Sequence, residues 1–322
     1  MRDIGIEYPA VGQMQFYDLG PPPALAPRQV LIRTHYSGIT NGTERHALMG
    51  EHGFGPGRHG YQHVGTIEQV GSEVEDFERG DWVFYGRYVG HRGWHIQEVP
   101  RSEPDARGSH LCIKLPDDVE HGHCALFGVA GVSMRGIARC RVGPAQHVWV
   151  AGAGLIGQFA AQAARARGAR VTVTDLDETR LAIAQELGAD RVLDALAAAA
   201  VAALKDGAPY DCIIDACGAE SLFHDINEHS LLRDGGVIAA LAVRTDLGAP
   251  WRLLHRHEAS IEVSCHFALR DLAALLESVR EGVIRIQPLI SHLVSIDEAP
   301  AIYATLRDSP ADLLGVVFDW TR

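Results

Sequence analysis

HVWVAGAGLIGQFAAQAARARGARVTVTD, residues His147–Asp175, is the stretch whose reading decides the fold. It opens on Val148–Ala151, an apolar run long enough for a buried strand and too short for a helix. Gly152, Gly154 and Gly157 follow in a G-x-G-x-x-G pattern. The first glycine allows a tight turn, the second lets a pyrophosphate approach the backbone, and the third lets helix pack on strand. An Ala-rich helix is predicted from Leu155 and Ile156 to Arg167, stopped by Gly168, with its N-terminal N–H groups and dipole facing the pyrophosphate. A second β-rich run, Arg170–Thr174, ends in Asp175, where a carboxylate can accept bonds from a ribose 2′-OH. The order of strand, turn, helix, strand and acid specifies a dinucleotide site. Because a carboxylate repels a 2′-phosphate, Asp175 favours NAD over NADP. Arg180, in the next helix, is the nearest downstream cation able to swing toward such a phosphate.

Composition sets the outer limits. With 322 residues, 47% hydrophobic and 22% charged, the chain is long enough for two domains and a sizeable core. A formal net charge of −12 argues against nucleic acid or an anionic membrane as partner. No apolar run reaches membrane-span length, and the first residues, MRDIGIEYPA, carry no signal-peptide core. The six cysteines are scattered without a C-x-x-C, as expected in a reducing compartment, so a cytoplasmic protein is expected.

On either side of the central stretch the pattern changes. Residues 1–130 read as a β-rich module: a strand at Gln29–His35, a loop at Ser37–Glu44 that opens a short helix, and a Gly/His-rich connection, Gly53–Gly65. Further strands fall at Thr66–Val70 and Gly80–Phe84, and a helix at His121–Arg139 crosses into the nucleotide-binding half. After Asp175 strands and helices alternate as in a doubly wound α/β sheet. The expected helices are Glu178–Leu187, an Ala-rich one containing 197–200, and Glu220–Leu232. The expected strands are Arg191–Leu193, Asp211–Asp215, Val237–Leu241 and Ser260–Val263. The tail reads as a helix from Leu269, a turn around Pro288, a helix from Asp297 and a strand at Leu314–Asp319. The nucleotide domain, 131–265, is thus inserted between the first part of a catalytic domain and its return, 266–322.

The motifs VLIRTHYSGITNGTE, GYQHVGTIEQVGSEVEDFERGDWV, VAGAGLIG, VTDLDETRLAIAQELGAD, YDCIIDACG and LRDGGVIA together resemble the medium-chain dehydrogenase/reductase superfamily over essentially the whole chain. The wording is most similar to sorbitol- and threonine-dehydrogenase-like members. The G-T-E, in place of G-T-D, resembles a subgroup that includes bacteriochlorophyllide hydroxyethyl dehydrogenases. The resemblance implies a Rossmann domain plus a GroES-like catalytic domain, a homodimer, and hydride transfer between nicotinamide and an alcohol or ketone. Zinc-dependent members place Cys before G-T-D and His-Glu in a later G-H-E. Here those positions hold Asn41, Tyr61 and Gln62, the crossing-helix acid falls near Gly128, and Tyr85–Arg107 contains none of the structural-zinc cysteines. Asn, Tyr and Gln are poor zinc ligands, so no metal is expected at the family site.

Without a Lewis acid, hydrogen-bond donors must stabilise the developing alkoxide. Tyr61 through its phenol and Asn41 through its amide are the candidate donors. Thr43 is the candidate relay, with Glu44 beside it, and His63 shares Tyr61's face if the segment is extended. Thr43 and Glu44 could instead serve only as helix caps, and His63 as a hydrogen-bonded core histidine. A relocated metal on His59, His63 and Glu44 is a further alternative. The expected activity is zinc-independent, NAD-linked oxidation of a secondary alcohol, with a polyol, sugar or cyclitol as the small-molecule substrate. A quinone or enoyl reductase, a redox-neutral epimerase with bound NAD, and a non-catalytic nucleotide-binding protein are the competing readings.

Overall fold

The computed structural model describes residues 3–99 and 111–322. The chain divides into two compact units. Unit 1 comprises 1–131, 266–281 and 286–322, and unit 2 comprises 132–265 and 282–285.

Unit 1 begins with the hairpin β1 (Ile4–Glu7) and β2 (Gln15–Asp18), then β3 (Gln29–Gly38) and helix α1 (Asn41–Met49). Strands β4 (His63–Val70), β5 (Trp82–Tyr85), β6 (Trp94–Glu98) and β7 (Cys112–Lys114) follow, then α2 (His121–Cys124) and α3 (Phe127–Arg139), whose residues from Val132 on belong to unit 2. The expected single helix over 121–139 is two helices. At the break the N–H groups of Ala125 and Leu126 bond only three residues back, to Gly122 and His123, which tightens and ends the first turn.

Unit 2 holds β8 (His147–Ala151), α4 (Leu155–Ala166), β9 (Arg170–Asp175), α5 (Glu178–Glu186), β10 (Arg191–Asp194), α6 (Ala200–Gly207) and β11 (Tyr210–Asp215). It closes with α7 (Leu222–Glu228), β12 (Leu232–Ala240), α8 (Trp251–Arg256) and β13 (Ser260–Val263). Its six strands are all parallel, in the order β10-β9-β8-β11-β12-β13. The order reverses between β8 and β11, the place where a doubly wound sheet opens a crevice for ligand. One face of the sheet buries Val148, Val150, Val171, Val173 and Ile214 with the alanines of α4. The other buries Trp149, Ile213 and Ile238 with Phe223 and Ile226 of α7. Several boundaries differ from expectation, among them α7, which runs Leu222–Glu228 in place of the expected helix Glu220–Leu232. The Asp194 carboxylate accepts from Leu196 N–H at 2.8 Å, an Asx turn that delays α6 to Ala200, so most of the Ala run precedes it. Strand β12 also starts five residues early, with Gly235 (φ +71°) inside it where the register to β11 shifts.

The chain then returns to unit 1 as α9 (Leu269–Arg280), β14 (Ile290–Ser295), α10 (Ala299–Asp308) and β15 (Gly315–Asp319). Strand β14, absent from the sequence reading, pairs parallel to β15 and completes a sheet ordered β14-β15-β3-β4-β5-β7, with β6 pairing β3. Ala47 and Leu48 of α1 pack with Ile302, Tyr303 and Leu306 of α10 and with Phe318 and Trp320. Large aliphatic and Phe side chains such as Leu48, Ile302, Leu306 and Phe318 each contribute roughly 1.5–3 kcal/mol when buried, and together they fix α1 against the end of β15. Among the described residues no helix is long and apolar enough to cross a membrane, and all six cysteines are free thiols.

Candidate active site

In unit 2 the glycines take up the roles their spacing predicts. Gly152 has φ +102°, a left-handed conformation that an L side chain resists. A side chain at Gly157 would strike the Gly152 carbonyl, whereas Gly154 faces open space, as close approach of a phosphate requires. Helix α4 starts at Leu155–Ile156–Gly157 with no side-chain cap and no acidic residue in its first turn, so its leading N–H groups suit an anion. Asp175 ends β9. It accepts from Ala153 N–H at 2.5 Å and from Leu176 and Asp177 N–H at 2.8 and 3.0 Å, so the carboxylate sits against the glycine turn. Arg180 lies 3.8 Å from Asp177, the residue that caps α5. The residues present therefore fit a dinucleotide.

Two groups at the carboxyl end of the same sheet escaped the sequence reading. Asp215, fully buried at the end of β11, accepts from Arg244 Nε at 2.7 Å and from Gly218 N–H at 2.9 Å. Cys217 packs against Gly152. Arg244 lies 29 residues from Asp215, a separation no local motif spans.

In unit 1 the three segments that carry the family's metal positions do come together. Gly38 N–H bonds the Gln62 carbonyl, Gln62 Nε2 reaches Thr40 Oγ1 at 3.4 Å, and Gln62 Oε1 accepts from Val129 N–H at 3.1 Å. A Cβ at Gly128 would lie 2.7 Å from Gln62 Oε1 and 2.8 Å from the Tyr61 ring, so these two side chains fill the space an acidic residue would need. Tyr61 is 6% exposed, and its ring contacts His266 at 4.7 Å, Tyr88 at 6.1 Å and Phe267 at 6.2 Å between centroids.

The other predicted residues are placed differently from expectation. Asn41 gives both observed amide bonds to the chain, to the carbonyls of Leu313 and Leu314 at 3.1 and 2.8 Å. Its Oδ1 is buried without a partner, so what remains is an acceptor, not the expected donor. Thr43 stays partly exposed on the first turn of α1.

Glu44 points into the core. Its Oε2 accepts from Tyr303 at 2.7 Å, His91 at 3.0 Å and Tyr8 at 3.3 Å, and its Oε1 accepts from Thr40 N–H at 2.8 Å. Burial pushes its pKa up, but the charge and hydrogen bond of His91, with the bonds from Thr40 and Tyr303, hold it below the ordinary carboxylate range. The phenols of Tyr8 and Tyr303 are pushed up by burial and then by the charge of Glu44. Glu44 is thus a structural hub whose oxygens are taken by the chain rather than held beside Thr43, and its backward bond to Thr40 makes it half a cap as well.

His63 also lies inside the sheet, stacked on Tyr85 at 4.8 Å, with Nε2 on the Gly90 carbonyl at 3.1 Å and Nδ1 buried without a partner. Burial, then His91 and His95, drive its pKa well down. A buried neutral imidazole in that position is no acid/base for a bound substrate. Glu44 and His63 both turn inward onto other partners, so His59, His63 and Glu44 do not form a converging ligand cluster among the described residues.

One pair missing from the sequence reading stands beside Tyr61. The Tyr88 hydroxyl meets His59 Nδ1 at 2.8 Å, and His59 Nε2 meets the Gly55 carbonyl at 3.0 Å. A carbonyl only accepts, so Nε2 is the donor to Gly55 and Nδ1 is left to accept from Tyr88. Tyr88 is 40% exposed. Burial, then the charge of Glu44, raises its pKa. The His-rich segment was visible in the sequence; its partner, 29 residues on, was not.

Known proteins share this architecture. The pattern described as "Alcohol dehydrogenase GroES-like domain" matches residues 26–173, and that described as "Zinc-binding dehydrogenase" matches 156–281. L-idonate 5-dehydrogenase of Vitis vinifera is 29% identical over 264 residues, covering 72% of this chain and 70% of its own. A probable D-xylulose reductase A of Aspergillus clavatus is 25% identical over 348 residues, covering 95% and 94%. Among solved structures, an Escherichia coli oxidoreductase of unknown specificity superposes with TM-score 0.85 at 21% identity over 99% of both chains. An Escherichia coli alcohol dehydrogenase complexed with NADH has TM-score 0.84 at 17% identity, covering 98% and 99%. A zinc-binding dehydrogenase from Sinorhizobium meliloti bound to NADP has 0.82 at 20%, covering 98% of each.

Proposed function

The chain belongs to the medium-chain dehydrogenase/reductase superfamily, and from that premise we propose a dehydrogenase that oxidises a secondary alcohol with NAD and without a zinc ion at the family's catalytic position. Membership makes it an enzyme that uses a nicotinamide dinucleotide. The substrate class we favour is a polyol, sugar or cyclitol, in keeping with the sugar-acid and pentulose enzymes among its relatives. Preference for NAD rests on Asp175, whose charge opposes a 2′-phosphate, and on Arg180 being held toward Asp177.

The observation that carries the zinc-free reading is the closed set around Gly128. Tyr61 and Gln62 occupy the volume of the missing acid, and the Gln62 amide is committed to Thr40 and Val129. Amide and phenol groups are poor ligands, and here they are also engaged or packed.

When bound, the nicotinamide supplies the acceptor or donor of the hydride. The chain's own residues handle the oxygen and its proton. The Tyr61 hydroxyl donates a hydrogen bond to the substrate oxygen, stabilising negative charge as it develops in a nearly dry setting. The substrate's hydroxyl proton passes to the Tyr88 oxygen as Tyr88 gives its own proton to His59 Nδ1, whose acceptor state is fixed by the Gly55 carbonyl. Asn41 ties the start of α1 to Leu313 and Leu314, and Glu44 ties it to Tyr303 of α10, so they position the site rather than touch substrate.

Tyr61→Phe tests the assignment. Turnover is expected to fall roughly 100-fold or more, with NADH affinity unchanged. Full turnover in that variant, on a substrate found by screening secondary alcohols, would remove Tyr61 from the mechanism.

A further inference from the structure

We propose that the turn closing α1 is a binding site for a divalent transition cation of the zinc class, ligated by His46, Glu51 and His52. The site is separate from the Tyr61–Gln62–Gly128 cluster and does not depend on the redox reading. Among the described residues these three are the group whose ligand atoms converge, all within 4.8 Å of one another.

The backbone prepares the convergence. Gly50 ends α1 in the left-handed conformation (φ +70°). Gly50 N–H bonds the Ala47 carbonyl at 3.3 Å, and Glu51 N–H bonds the His46 carbonyl at 2.8 Å. That pair of bonds is a Schellman motif, and it lays Glu51 back over His46. Next, Phe54 N–H bonds the Glu51 carbonyl at 3.0 Å, closing a turn whose central residues, His52 and Gly53, have φ +51° and +79°. Positive φ at both central positions is a type I′ turn. A non-glycine residue in that region carries local strain, which is common where a side chain must point one way. Here it points the His52 ring onto His46, with centroids 4.4 Å apart and planes at 90°. His46 Nδ1 already meets Glu51 Oε2 at 2.7 Å.

Two imidazoles and a carboxylate form a donor set suited to zinc and its neighbours in the first transition row, with a fourth position left to water. Metal bonds of about 2.1 Å at tetrahedral angles put ligand atoms roughly 3.4 Å apart. Side-chain rotation by about an ångström therefore closes the cluster, and these side chains have the room: His46 is 24% exposed and Glu51 40%. The cation would replace the His46–Glu51 hydrogen bond. Arg45, 3.3 Å from the same carboxylate oxygen, is the neighbour that opposes it.

The test is a titration of chelator-stripped, full-length protein with Zn2+ alone, and with Co2+ for its visible ligand-field absorption. The wild type is compared with His52→Ala, Glu51→Gln and Tyr61→Phe, each checked for native circular dichroism. One equivalent is expected in the wild type and in Tyr61→Phe. His52→Ala should lose more than the roughly 10–100-fold in affinity that removal of an outer-shell partner costs, and Glu51→Gln should lose the tetrahedral cobalt spectrum. Absence of wild-type binding overturns the site and leaves the zinc-free reading standing, and binding indifferent to His52→Ala overturns the site. Binding abolished by Tyr61→Phe instead would overturn both.

Discussion

The Gly152–Gly157 turn and the Glu44 cluster solve opposite problems. At the turn, the chain removes side chains so that backbone N–H groups can meet a charged ligand; Gly154 has open space in front of it, and α4 begins uncapped. Around Glu44 the chain buries a carboxylate completely and surrounds it with Tyr8, Tyr303, His91 and the Thr40 amide. One region gets its charge complement from outside, the other from within. The difference shows that a polar residue next to a family motif is not thereby a reagent. Its role follows from whether its partners belong to the chain.

Glu44→Ala breaks the internal case most severely. It leaves His91 and two phenols buried without their acceptor, and removal of one member of such a buried pair costs about 3–5 kcal/mol. Urea unfolding should show that loss, whereas dinucleotide binding by the folded fraction should survive. A stability change under about 1 kcal/mol would mean that the cluster behaves like an exposed ion pair.

Gly157→Ala breaks the external case. Overpacking against the Gly152 carbonyl should destabilise the protein by about 1–3 kcal/mol. Unlike Glu44→Ala, it should also abolish measurable NADH fluorescence enhancement. Retained binding would mean that the turn can be rebuilt.

The third effect is graded with pH. Burial, then Arg92 and Arg87, lowers His95 from an ordinary 6.5 to about 3, and burial lowers His63 in the same direction. Both are neutral in the fold and take up protons on unfolding once the pH is below 6.5. Their contribution is therefore complete above that value and is lost as pH falls below it, toward about 3 for His95, at up to roughly 1.4 kcal/mol per pH unit. The carboxylate of Glu44 acts in the same sense at lower pH, since its folded pKa is depressed. His95→Phe should flatten the slope of unfolding free energy between pH 6 and 5, roughly by one proton. An unchanged slope would assign the linkage elsewhere.

The two regions also differ in how far they can be read from sequence. The dinucleotide turn is a local device: glycines, helix start and Asp175 fall within 29 consecutive residues, and each role follows from backbone chemistry. The alternating order of unit 2 was legible for the same reason. Boundaries shifted where a short-range competitor intervened, as at the Asp194 Asx turn and the Gly235 bulge. The partners of Glu44, by contrast, lie 36, 47 and 259 residues away. No spacing rule connects Tyr303 to a helix near the start of the chain. The same holds for Asn41, whose amide is taken by carbonyls 272 and 273 residues on. Strand β14 escaped because its pairing partner is a later strand, not a hairpin neighbour. Tyr61 could be singled out as a candidate because its position is anchored by a family motif, while Tyr88 had no such anchor.

The most direct test is turnover of a secondary alcohol with NAD after exhaustive chelation, with zinc content measured on the same sample. NADH formation at the untreated rate by zinc-free protein is the predicted result. Activity that disappears with the metal and returns on adding one equivalent of Zn2+ would contradict it.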